Sequence, residues 1–136
     1  MASIYPFRAR MPRPDVASRV AAVPYDVVSR EEAANLAADN PLSFLHVSRA
    51  EIDLPPEIDA ASDEVYELAK KNFETLREAA PLIDDHVETY YFYRITVDDH
   101  RQTGIAAAVS VDDYDNDIVK KHEKTRPDKE DDRTRH

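Results

Sequence analysis

Thr89–Val97, TYYFYRITV, and Gln102–Val111, QTGIAAAVSV, are the two runs whose reading decides the fold class of this chain. Both are rich in aromatic, β-branched or small apolar residues, which suit a pleated and partly covered surface. The polar turn Asp98-Asp99-His100-Arg101 between them predicts an antiparallel hairpin. Gly104, the only glycine, lies inside the second run and predicts a bulge or a close backbone approach there. Ala106, Ala107 and Ala108 leave space for a helix or a ligand to pack. Upstream, Val65, Leu68, Ala69, Phe73 and Leu76 recur at helical spacing within Ser62–Ala79, with Tyr66 beside the stripe. A hairpin beside such a helix predicts an α/β (α+β) domain, with a mixed or antiparallel sheet and at least two packed helices.

Toward the N-terminus, the prolines at 6, 12 and 14 exclude a long helix, so Ser3–Arg10 reads as an edge strand or extended arm with Ile4 and Phe7 buried. One or two helical turns fit Pro14–Ala22, and Pro24–Val28 reads as a turn or short strand. Ser29 with Glu32 matches a capping box, followed by an apolar stripe at Ala33, Leu36 and Ala37 that should stop near Asn40-Pro41. Phe44–Val47 is a strand candidate, which makes His46 a packed or surface residue of a strand. Glu51–Ile58 and Pro81–Asp85 read as loops, and Asp112–Val119 as the start of a short helix with Tyr114 and Ile118 on one side.

At 136 residues the chain has the length of one domain, with residues 1–119 as scaffold and 120–136 as a polar segment of the same domain. Cysteine is absent, which excludes disulfides, thiolate catalysis and a cysteine zinc site. No run approaches the ~18 apolar residues of a membrane span, and the first ten residues hold no signal-like apolar run. A cytoplasmic protein without membrane contact is expected. The net charge of −10 is uneven: seven Lys/Arg stand against five Asp/Glu from Lys120 onward, and eleven against twenty-three before it. An acidic body with one cationic end suits a small anionic ligand better than a nucleic acid, which needs an extended positive surface.

The cationic end, Lys120–His136, reads KKHEKTRPDKEDDRTRH and contains no aliphatic or aromatic core residue. Thr125-Arg126-Pro127 looks like a helix entrance, with proline where its fixed φ favours the first turn. Amides at a helix start, flanked by Lys124, Thr125, Arg126 and Lys129, suit a phosphate or carboxylate, and Arg133 shares a helical face with Lys129. His122 and Glu123 just before it, and Asp132 within it, are candidate acid, base or Mg²⁺-binding groups. Runs of mixed charge also make solvated helix faces or tails, and His122-Glu123 lacks the spacing of the HExxH zinc motif, so no metal ligand set is assigned. Asp26 beside Tyr25 is a further site candidate, although turn formation alone accounts for an aspartate there. Tyr90, Tyr91, Phe92 and Tyr93 read as core and sheet surface. The group Asp112, Asp113, Asp115 and Asp117 lacks the glycine and glutamate of a calcium loop.

Four stretches taken together carry a resemblance: PYDV at Pro24–Val27, NPLSFLHVSRAEIDLP from Asn40, QTGIAAAVSVDDY from Gln102 and KKHEKTRPDKEDDR from Lys120. They resemble the prokaryotic family of domain of unknown function 1015, over essentially the whole chain. The resemblance implies that the chain is the N-terminal part of a longer protein, with a C-terminal remainder as partner. It also implies, more remotely, the ParB/sulfiredoxin-like fold, whose members handle nucleotide phosphates and include kinases acting on free serine. A phosphorylated small molecule or nucleotide, for phosphoryl transfer or hydrolysis, is then the expected ligand, with Mg²⁺ and a nucleotide as candidate cofactors and none assigned. Lys124, Thr125, Arg126, Lys129 and Arg133 would hold phosphate oxygens, Glu123 or Asp132 would orient the attacking hydroxyl, and His122 would assist. Ligand sensing without turnover and an interaction role for the charged end are the alternatives.

Overall fold

The computed structural model describes residues 1–120 and 126–136, and only the backbone of Asp128 and Lys129. Helices combine with small antiparallel sheets, as the α/β reading requires. The chain divides into two compact units. One comprises residues 1–10 and 84–124, and the other residues 11–83 and 125–136.

The core lies in the second unit. Its longest element is α4 (Asp63–Ala79), with Ser62 extended at the N-cap and Asp63 and Glu64 in the first turn, where acids favour the positive end of the helix dipole. Val65, Ala69 and Leu76 are buried along it, and Leu68 and Phe73 pack beside them, so the apolar stripe read from the sequence is the packed face. The short helix α1 (Ala17–Val20) delivers Val20 to the cluster of Leu42, Val47, Leu76 and Ala80. Residues 24–28 form turns.

Helix α2 (Arg30–Ala37) begins with the expected capping box. The Glu32 amide donates to the Ser29 hydroxyl at 3.2 Å, and the Ser29 amide donates to the Glu32 carboxylate at 2.8 Å. Ala33 and Ala37 are buried against Leu45, whereas Leu36, expected on the same stripe, is 57% exposed. Eight residues bury only the narrow alanine strip, which turns the larger side chain outward.

Phe44–Val47 is not a strand. A turn at Phe44 leads into α3 (Leu45–Ser48), whose local bonds from Val47 and Ser48 to the Phe44 carbonyl, at 3.0 and 2.9 Å, satisfy the backbone without a partner strand. A short apolar run has no period long enough to separate the two forms. A 3₁₀ turn at Ala50–Asp53 follows, where a loop was expected.

Strand β2 (Arg10–Pro12) pairs with β3 (Leu82–Asp84), which replaces the loop expected at Pro81–Asp85. In the first unit, β1 (Ile4–Tyr5) pairs antiparallel with β6 (Ala108–Val109). Ile4, expected to be buried, is 51% exposed, while Phe7 is half-buried with its ring 5.0 Å from that of Tyr91.

The expected hairpin is present as β4 (Tyr91–Val97) and β5 (His100–Ala106), in unbroken register from Tyr91 opposite Ala106 to Val97 opposite His100. Its turn is shorter than the sequence implied. Asp98 takes a left-handed φ of 51°, which aspartate tolerates, so two residues close the loop and His100 and Arg101 join the strand. Gly104 makes neither a bulge nor a close approach. It pairs with Tyr93, and a Cβ there would meet the Tyr93 carbonyl oxygen at 4.0 Å, an ordinary contact. The second run breaks after Ala106, freeing Ala108 and Val109 to pair with β1. Ser110 then caps α5 (Val111–Asp115), which ends before Ile118, so Tyr114 and Ile118 do not share a helical face.

Candidate functional site

The polar segment forms the helix that its sequence suggested. Arg126 is extended at the N-cap and Pro127 occupies the first turn of α6 (Pro127–Arg135). With the sequence PDKEDDRTR this helix has no apolar residue to bury, so polar and cation–π contacts hold it. The Tyr66 hydroxyl of α4 donates to Oδ1 of Asp132 at 2.7 Å. Arg133 donates from Nε to Oδ2 of Asp132 at 2.9 Å and again from Nη2, and its guanidinium lies 4.1 Å from the centre of the Tyr25 ring. Arg135 pairs with Asp63 and stacks 4.5 Å from the centre of the Tyr66 ring.

These contacts form one wall of a cavity of about 610 Å³ in the second unit. Tyr25 and Asp26 line it from the turn before α2, Arg49 and Glu51 from the 3₁₀ region, Asp59 from the following loop and Tyr66 from α4; Asp132, Arg133 and His136 close it. Arg49 is fixed by Glu51 at 2.5 Å and by the carbonyls of Tyr25 and Val28 at 2.7 and 2.8 Å. Glu51 is 5% exposed, so this pair holds the cavity floor rather than a solvated surface. The adjoining loop is fastened by Arg30, which donates to the carbonyls of Leu54 and Pro55 at 2.7 and 3.0 Å and also bonds to that of Glu51.

The charge of the cavity decides what it can take. Asp26, Glu51, Asp59 and Asp132 supply four carboxylates, against the guanidiniums of Arg49 and Arg133. Desolvation of its ring, with Arg133 nearby, holds the His136 imidazole below its ordinary pKa and therefore mainly neutral at pH 7. The Tyr66 hydroxyl titrates above the usual phenol range, first because it donates to Asp132 and then through burial. A bare anion meets an adverse field here, whereas an anion carried with a divalent cation does not. Among the described residues, no group of three or more His, Cys, Asp or Glu side chains is placed to hold a metal ion.

The residues singled out in the sequence divide along α6. Asp132 and Arg133 reach the cavity. Arg126 is exposed at the opposite end of the helix, seven residues and about 10 Å along the axis from Arg133. His122, Glu123, Lys124 and Thr125 lie outside the described residues, as does the side chain of Lys129. Sequence reading weighed Asp26 and noted Tyr66 only as an edge of the helical stripe. It missed Arg49 and Glu51, whose neighbourhood was misassigned to strand and loop. The spacing Arg49-x-Glu51 beside the aromatic Tyr25 turn shows its meaning only in the fold.

A second cavity of about 250 Å³ in the same unit is lined by His46, Asp53 and Asn72. His46 Nδ1 lies 2.9 Å from the Asp53 carboxylate, which ties the imidazole to the 3₁₀ turn, and Asn72 of α4 donates to both Asp53 and the His46 carbonyl, which ties α4 to α3. Its Nε2 is buried without a partner. In the first unit, Asp113 of α5 accepts a bond from the Ser3 amide at 2.6 Å, which gives one member of the acidic group a structural role.

A family model matches residues 4–136, and the chain belongs to that family, described as protein of unknown function DUF1015. No curated protein matches the chain. No solved structure matches it either. No described helix is long and apolar enough to cross a membrane.

Proposed function

We infer, from the geometry of the second unit and the charge pattern of its polar helix, that the cavity binds a small phosphorylated molecule, in the fullest reading a nucleotide, taken up with Mg²⁺. One observation carries the reading: Arg133, from the segment whose composition demands a polar partner, lines a cavity of about 610 Å³, within the size range of small-molecule sites. Arginine offers the planar fork of donors that matches phosphate, and its seat on Tyr25 fixes that fork in advance. Tyr25 and Tyr66 line the cavity, and since a guanidinium covers one face of each ring, only the opposite faces could take a ring of the ligand. The excess of carboxylates favours a phosphate neutralised by Mg²⁺, which is typically bound through one or two carboxylates together with substrate oxygens.

The reaction in this reading is phosphoryl transfer or hydrolysis. Asp132 has both oxygens engaged and holds Arg133 in place; Glu123 or Asp132, to orient an attacking hydroxyl or bind Mg²⁺, and His122, to assist, belong to the reading on sequence grounds. Lys124, Thr125, Arg126 and Lys129 belong to the reading on sequence grounds, as phosphate-binding groups. In this reading the fold is ParB/sulfiredoxin-like and the setting cytoplasmic. A ligand sensor would use the same cavity without turnover, and product formation from a bound nucleotide separates the two.

A different observation favours an interaction role: the hairpin exposes Phe92, Tyr93, Val97 and Ile105, each more than 60% accessible. The deciding experiment is a thermal-shift panel of nucleotides, phosphate and small phosphorylated compounds with and without Mg²⁺. Saturation at ~100 times the dissociation constant stabilises by about 2.7 kcal/mol. Stabilisation that depends on Mg²⁺ supports the phosphate site, and a flat response across the panel shifts the weight to the hairpin.

A further inference from the structure

We propose that Asp132 is a built-in competitor for the anion, occupying the Nε–Nη2 edge of the Arg133 guanidinium until a phosphate group taken up with Mg²⁺ displaces it from that edge. This deepens the phosphate reading and rests on it. Two nitrogens of Arg133, Nε and Nη2, converge on a single carboxylate oxygen, Oδ2 of Asp132. That arrangement is one a phosphate oxygen also adopts. The other oxygen, Oδ1, accepts from the Tyr66 hydroxyl at 2.7 Å, so α4 holds the competitor in place. The guanidinium rests on Tyr25 at 4.1 Å and keeps its position whichever anion it faces.

Partial exposure makes exchange feasible. The Arg133 and Asp132 side chains are 35% and 27% accessible, so the pair lines the cavity within reach of solvent. An incoming anion trades one charge-assisted contact for another, and the freed carboxylate keeps the Tyr66 hydroxyl as partner. A monovalent carboxylate ligand gains little by that trade, whereas a polyphosphate such as pyrophosphate, which keeps two negative charges after taking up one Mg²⁺, gains a stronger pair. The device therefore selects phosphorylated ligands over carboxylates of similar shape.

The test is calorimetric titration of the chain with pyrophosphate and Mg²⁺. Four proteins are compared: wild type, Asp132→Asn, Asp59→Asn and the double variant Asp132→Asn/Arg133→Ala. Asparagine keeps an acceptor for Tyr66 while removing the competing charge. Asp59 lines the same cavity without contacting Arg133 in the way Asp132 does, and its replacement reports the general field effect. Expected are roughly three- to tenfold tighter binding for Asp132→Asn, a smaller change of either sign for Asp59→Asn, and loss of the gain in the double variant. Affinity unchanged or weakened in Asp132→Asn, or a gain matched by Asp59→Asn, overturns the competitor while leaving the phosphate site standing. Absence of binding in all four proteins overturns both.

Discussion

Arg133 and Tyr66 are the residues at which the account is most exposed to test. Tyr66 donates to Asp132, and a phenol that must give up its proton beside a carboxylate resists ionising. Its raised folded pKa means that its stabilising contribution is complete below the ordinary phenol range near pH 10 and is lost as pH rises through the higher folded value. Tyr66→Phe should therefore remove one late-ionising tyrosine from an absorbance titration and loosen α6; an unchanged titration curve counts against the bond. Tyr91, also raised, by burial and then by its bond to Asp85, remains as the internal comparison. At this scale the sequence was partly legible. A cationic segment without apolar residues pointed to Arg133 and Asp132, because such a segment needs polar partners. The partners themselves, Tyr25 and Tyr66, lie 108 and 67 positions upstream of Arg133 by sequence number and carry no local signal for the pairing.

Among the elements, α2 was legible because it carries both a period and a start signal, and α4 because its period is sustained over seventeen residues. Ser29→Ala should cost about 1 kcal/mol in denaturant unfolding by orphaning the capped amide, whereas no measurable loss would remove the box from the account. Leu76→Ala, at the junction of α4 with Val20 and Leu42, should cost about 2–5 kcal/mol. By contrast, Phe92→Ser on the hairpin should stay within about 0.5 kcal/mol of wild type, since Phe92 is 81% exposed and buries little. A loss comparable to that of Leu76→Ala would mean that Phe92 is buried in solution. Phe44–Val47 was illegible as helix because four apolar-rich residues fit either period, and β3 was illegible as strand because its partner lies about seventy residues away. Gly104 shows the same limit: a lone glycine in a strand signals a bulge only when the backbone there departs from regular pairing, and here it does not.

In the whole molecule, stability is unevenly distributed. Every buried hydrophobic residue among those described belongs to the second unit, while the first unit rests on strand pairing and on the Tyr91 contacts to Phe7, Ala9 and Asp85. Amides of β4 and β5 should therefore exchange faster than those of α4 in hydrogen-exchange measurements, and equal protection would contradict the division. Acid should weaken the fold. Asp84 and Asp15 are held low by hydrogen bonds from Arg10 and Arg13, and Glu32 by the Ser29 amide. For depressed carboxylates the contribution is present above the ordinary value near pH 4 and is lost as pH falls through the lower folded values, so the thermal midpoint should drop below about pH 4. A flat midpoint down to pH 2 would contradict these pairings. The acidic balance of the scaffold was readable from composition alone. Its consequence for the cavity was not, because only the fold gathers Asp26, Glu51, Asp59 and Asp132 around two guanidiniums.

The most direct test of the central claim is the stabilisation that Mg²⁺ with a nucleotide gives to wild type and to Arg133→Ala, measured as the shift in thermal midpoint at matched ligand concentration. The account predicts a clear rise for the wild type and its loss in Arg133→Ala, with the unliganded midpoints within a few degrees of one another. Equal stabilisation of both proteins, or none in the wild type, would contradict the assignment of this cavity as a phosphate site.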